Sequence, residues 1–125
     1  MRRVLLVTLL LLLGFFGLFA WHLIIFSDKK LHIVFCDVGQ GDAILIRSSS
    51  GIVSLVDGGP DERVEACLSR HLPFWQRTIT LLLLSHPHAD HYMGMLGILD
   101  RYTVKNFATE KLDNNTVLFS ALLEN

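Results

Sequence analysis

Ile79-Thr80-Leu81-Leu82-Leu83-Leu84-Ser85-His86-Pro87-His88-Ala89-Asp90-His91 runs from an almost wholly apolar segment straight into a cluster of metal-ligand side chains. The apolar part has the composition of a strand buried on both faces. Three of the chain's six histidines, with one aspartate, occupy its last six positions. Imidazole nitrogen and carboxylate oxygen are the donors that suit zinc and related divalent ions. In extended backbone, residues two apart point the same way, so His86 and His88 can converge on one ion. Asp90 and His91 are adjacent and cannot both join that pair; they can face a second ion if the chain turns into a helix there. Two ions about 3.5–4 Å apart can clamp the attacking and leaving oxygens of a hydrolytic displacement. The plainer reading of Asp90 is a helix N-cap.

Upstream, Leu31–Val38 reads as a strand, Gly39-Gln40-Gly41-Asp42 as a turn, and Ala43–Arg47 as a second strand. Ser48–Gly51 turns again, and Ile52–Val56 forms a third strand stopped by Asp57-Gly58-Gly59-Pro60. The first half is therefore expected to be a β-meander. From Asp61 to Leu72 the apolar positions Val64, Cys67, Leu68 and Leu72 recur at helical spacing, and Pro73 ends that helix. Downstream, a helix is expected over 91–102, a short strand over 104–108 and a last helix over 116–124. An antiparallel start followed by alternating helix and strand predicts a mixed α/β (α+β) fold.

The N-terminus is of another kind. Val4 to Phe26 is apolar except for Thr8 and His22, which is long enough to cross a hydrocarbon core of about 30 Å. A cleaved signal peptide has an apolar region of only about 7–15 residues and a small-x-small site. Leu18-Phe19-Ala20 lacks that pattern, so a retained single-pass anchor is expected. Arg2 and Arg3 before the span, against Lys29 and Lys30 offset by Asp28 after it, favour a cytoplasmic N-terminus and an extracytoplasmic C-terminal part in the cell membrane. His22, beside Trp21, reads as an interfacial residue. The chain thus divides into an anchor and juxtamembrane linker over 1–30 and a domain over 31–125. Cys36 and Cys67 sit in apolar settings and are expected to be two buried free thiols. Eleven basic residues against twelve acidic ones, with 51% hydrophobic residues, exclude a disordered chain and a strongly basic nucleic-acid surface.

His86-Pro87-His88-Ala89-Asp90-His91 resembles the HxHxDH signature of the metallo-β-lactamase superfamily. The run Leu31–Val38, Gly39-Gln40-Gly41-Asp42-Ala43, then Ile52–Asp57-Gly58-Gly59, is similar to the opening of its ComEC-like branch, the hydrolase domain attached to the DNA-uptake channel of competent bacteria. The resemblance covers residues 31–124. It implies that His86 and His88 ligate one metal and Asp90 and His91 a second, with zinc the expected metal. It implies that Asp90 serves catalysis, either as a ligand or as a proton acceptor. Asp57 would support the metal loop through hydrogen bonds, although Asp-Gly-Gly alone equally suits a turn. Gln40 and Asp42 would lie near the site, against a plain reading as turn residues.

The family fold is an αβ/βα sandwich of two similar halves, and this chain matches one of them, preceded by the transmembrane helix. No histidine follows His91. The chain is therefore expected to be the N-terminal part of a longer hydrolase, inactive by itself, with the apolar face of its sheet exposed. The implied reaction is metal-dependent cleavage of an ester-type bond, with phosphodiesters, nucleic acid above all, favoured as substrate. The rival is a tethered module without chemistry, or a degenerate remnant, associated with DNA uptake. A structural zinc is disfavoured because four ligands within six residues strain to close on one ion.

Overall fold

A computed structural model of the chain describes residues 1–110; the helix expected at 116–124 lies outside the described residues. Helix α1 spans Arg2–Phe26 and is long and apolar enough to cross a membrane. None of its residues is buried. It is followed by strands β1 (His32–Phe35), β2 (Ile44–Arg47) and β3 (Val53–Val56), helix α2 (Arg63–His71), strands β4 (Thr78–Ile79) and β5 (Leu81–Leu84), helix α3 (Ala89–Arg101), and strands β6 (Thr103–Val104) and β7 (Phe107–Thr109). The fold is mixed α/β.

The five-stranded sheet has the order β1-β2-β3-β5-β7. The meander β1-β2-β3 is antiparallel, while β3, β5 and β7 are parallel. Parallel neighbours need a crossover, and α2 and α3 provide it. One face of the sheet (Leu45, Val53, Leu55, Leu82, Leu84) packs with Val64 and Leu68 of α2 and Met95 and Ile98 of α3 into a single core. The amphipathic pattern of α2 explains its seat, with Val64, Cys67 and Leu68 turned inward. Asp61, one residue before the Glu62 N-cap of α2, accepts a hydrogen bond on its carboxylate from the Arg63 backbone N–H at 3.0 Å. The Arg63 guanidinium bonded to the same carboxylate holds Asp61 below the usual carboxylate range.

The run over 79–84 is not one strand. Thr80 divides it, and β4 pairs with β6 in a separate two-stranded sheet. The strand expected at 104–108 divides likewise into β6 and β7. Nor is β5 buried on both faces: Leu82 and Leu84 are buried, whereas Leu81 and Leu83 are half-buried. They belong to a second sheet face with Ile44, Ile46 and Val56 that continues to Ile33 and Phe35, which are 54% and 77% exposed.

The cysteines are not free. Cys36 and Cys67 form a disulfide joining the end of β1 to α2, with Cα atoms 5.7 Å apart. Cys67 is buried as expected and Cys36 only half-buried, and the pairing arises from tertiary packing across 31 residues, which local context does not encode. Closing a loop of that length is worth about 3–4 kcal/mol in the chain-entropy account. Reduction, or Cys36→Ser, is expected to lower the unfolding free energy by about that amount. Urea denaturation with and without reductant checks this; superimposed curves would disprove it.

Candidate metal centre

In the parallel part of the sheet, β3 and β5 end at the same edge, so the residues that follow them become neighbours. Asp57 follows β3 and Ser85 follows β5. The Asp57 backbone N–H donates to the Leu83 carbonyl at 2.8 Å, extending the ladder by one step. Asp57 then turns with φ 57°, a left-handed conformation that aspartate tolerates better than most residues. That turn buries its carboxylate, and Asp57 is only 3% exposed.

Three donors converge on this carboxylate. The Ser85 backbone N–H donates to Oδ1 at 2.8 Å, the Ser85 hydroxyl to Oδ2 at 2.6 Å, and His91 Nδ1 lies 3.0 Å from Oδ2. A carboxylate only accepts, so His91 carries its proton on Nδ1 and keeps the lone pair on Nε2. The same logic reaches His86. Because the Ser85 hydroxyl proton is committed to Asp57, Ser85 Oγ accepts from His86 Nδ1 at 2.9 Å. His86 therefore also offers Nε2. One buried carboxylate fixes two imidazoles, one directly and one through a hydroxyl, in the tautomer a metal ligand needs.

The rings gather accordingly. The His86 and His88 centroids are 4.6 Å apart, and those of His86 and His91 are 3.9 Å apart. His91 is thus nearer to His86 than His88 is, and the three imidazoles form one group. His88 supplies the N-cap position of α3, and Asp90 sits in the first turn, so Asp90 is not the cap. Asp90 Oδ2 lies 3.9 Å from His91 Nε2. Among the described residues, Asp42, Asp57 and His91 have potential ligand atoms all within 4.8 Å of one another; His86, His88 and Asp90 do not join that group. The Asp57–His91 hydrogen bond accounts for part of that closeness, so Asp57 serves that group as an orienting carboxylate; Asp42 is exposed, while His91 is buried beside Asp57. Gln40 is exposed on the same loop as Asp42 and makes no side-chain hydrogen bond to a described residue.

Backbone contacts lock the three loops together. Gly58 N–H donates to the His91 carbonyl at 2.6 Å, and Gly59 N–H to the Asp42 carbonyl at 2.9 Å. Gly41, at φ 74°, lies so close to the Asp90 carbonyl that a Cβ there would overlap it. A Cβ at Gly94 would overlap the Gly58 carbonyl and lie 2.5 Å from the Asp61 carbonyl. Gly41 and Gly58 thus let their two turns press against α3, at Asp90 and at Gly94–Met95. Ser85 is the functional residue that motif reading missed. Its signal was present: a hydroxyl directly before the first histidine, at the end of a buried strand.

The imidazole of His91 and the carboxylates of Asp42 and Asp57, with the His86 and His88 rings beside them, are donors of the kind that suit a divalent cation. A sequence model of the metallo-beta-lactamase superfamily matches residues 36–117. No curated protein matches the chain.

Proposed function

The chain belongs to the metallo-beta-lactamase superfamily, and from that premise we propose that it is a membrane-anchored metal-dependent hydrolase of the ComEC-like branch, acting on phosphodiesters of nucleic acid outside the cytoplasmic membrane. The observation that carries this is the relay from Asp57 through Ser85 to His86, and directly to His91, which leaves both Nε2 atoms free. Imidazoles oriented in this way by a neighbouring carboxylate are what metal binding requires.

His86 and His88 would hold one ion, and Asp90 and His91 a second. Divalent ions bound there lower the pKa of water and polarise a phosphoryl oxygen. The chain's own residues do the rest. Asp57 and Ser85 orient the histidines. Asp90, in the first turn of α3 and half-buried, would serve either as that ligand of the second ion or, instead, as the acceptor of a proton as the ester bond is cleaved. Asp42 borders the opening and repels anionic substrate unless cations neutralise it.

Two features support the location. Helix α1 is long and apolar enough to span a bilayer. The Cys36–Cys67 disulfide suits an oxidising compartment, on the side to which the weak charge bias sends the domain. The exposed apolar sheet face at Ile33 and Phe35 favours a second reading, a tethered module that docks on a partner without chemistry.

The polypeptide of the complete reading frame, purified in detergent, separates the two. It is expected to cleave single-stranded DNA and a chromogenic phosphodiester, to stop when a chelator is added, and to resume with zinc. Metal-loaded protein that cleaves neither substrate would leave the module.

A further inference from the structure

We propose that Phe74 and Trp75, on the loop between α2 and β4, form a second membrane contact that dips into the lipid interface beside α1; this rests on the anchor reading above. Phe74 and Trp75 are 61% and 40% exposed, an unusual display for two adjacent large aromatic residues on a small domain. They do not project at random. The Trp75 ring lies 5.8 Å from Phe19 and 5.3 Å from His22, and the Phe74 ring lies 5.4 Å from His22. His22 also packs against Phe26 at 4.8 Å, and Phe74 against Trp75 at 4.8 Å.

The depth follows from helix geometry. Phe19 and His22 precede the end of α1 at Phe26 by seven and four residues, so at 1.5 Å per residue the loop reaches about 6–11 Å back along the helix. If α1 crosses the bilayer and leaves it near Phe26, the loop tip lies at the level of the headgroups and upper acyl chains. Trp and Phe rings are stable at that level. Trp21, on the same stretch of α1, is 65% exposed and belongs to the same belt. His22, otherwise a polar side chain in an apolar helix, is enclosed by Phe26, Phe74 and Trp75.

A helix alone leaves its domain free to swivel; two contacts do not. Arg47 Nη1 donates to the Phe26 carbonyl at 2.7 Å, which ties the last turn of α1 to the end of β2. The metal cluster lies at the opposite end of the strands, beyond the start of β2. The paired contacts therefore hold it turned away from the bilayer, open to substrate from the aqueous side.

The chain contains only Trp21 and Trp75, which makes fluorescence quenching decisive. The full chain is reconstituted in phosphatidylcholine vesicles with lipids brominated high on the acyl chain or near its end. In W75F, Trp21 reports the anchor; in W21F, Trp75 reports the loop. Trp75 is expected to be quenched strongly by the shallow bromines and weakly by the deep ones. A tryptophan introduced as Gln40→Trp in W21F/W75F is expected to remain unquenched. Quenching of Trp21 without Trp75 would overturn the second contact and leave the anchor standing. Loss of quenching at both would overturn the anchor and the contact with it, and quenching of the probe at position 40 would overturn the orientation.

Discussion

Asp57→Ala is expected to lower folding stability by about 2–6 kcal/mol and zinc affinity by about 10–100-fold. The stability loss has two sources. His91 Nδ1 loses its acceptor at a buried position, at about 1–3 kcal/mol, while the N–H and hydroxyl of exposed Ser85 are rehydrated. Alanine must also hold φ 57°, where aspartate was tolerated. The affinity loss comes from freeing the tautomers of two imidazoles. Asp57→Asn separates these effects. Asparagine keeps the volume and tolerates the left-handed turn, and its amide oxygen can still accept from the Ser85 N–H. Its NH2 then faces His91 Nδ1, which must become an acceptor, so the proton moves to Nε2 and the ligand lone pair is lost. Urea denaturation and competition for zinc against a chromophoric chelator, both on the full chain in micelles, read the two effects. An asparagine variant that binds zinc as tightly as the parent would remove the orienting role.

Much of this centre was legible locally because its parts are contiguous. The HPHADH segment follows a run of leucines, so a ligand-rich cluster at the end of a strand was legible; the way its rings meet was not, because β5 stops at Leu84 and the chain turns there, the His88 N–H donating to the His86 carbonyl at 2.9 Å, where extended backbone was expected. The turns at Gly39–Asp42 and Asp57–Gly59 were legible as turns because glycine and aspartate punctuate strands. Their meeting was not. That Gly41 touches the Asp90 backbone, or that Asp57 and Ser85 lie side by side, depends on β3 and β5 being parallel neighbours 28 residues apart. The disulfide was misread for the same reason: VFCDV and EACLS each describe a sheltered cysteine, and neither indicates where the other lies. The break at Thr80 was hidden because an apolar run has no period to interrupt. Phe74 and Trp75 read only as residues after a helix-ending proline, since their neighbour is a helix 50 residues earlier.

His86→Ala with His88→Ala is expected to reduce zinc affinity by more than about 100-fold, beyond the upper range for loss of an orienting group, while leaving stability within about 0.5 kcal/mol of the parent. The contrast with Asp57 is the informative part. His86 is half-buried and His88 exposed, and the only described side-chain hydrogen bond of either is His86 to Ser85. Ser85 is exposed, so its hydroxyl is rehydrated when His86 is removed, and its bond to Asp57 persists. The two histidines thus contribute little to the fold: the His88 backbone N–H donates to the His86 carbonyl at 2.9 Å, a turn that sets their rings 4.6 Å apart and that alanine at either position retains. His71→Ala, at the exposed end of α2, removes an imidazole of the same chemistry outside the cluster and is expected to change neither quantity. Zinc retained by the double variant at parental affinity would show that the imidazoles at the edge of β5 do not form the metal site, and the hydrolase would have to be sought elsewhere in the chain. Zinc lost together with a large fall in stability would instead show that the pair supports the fold, and that the cluster owes its shape to packing.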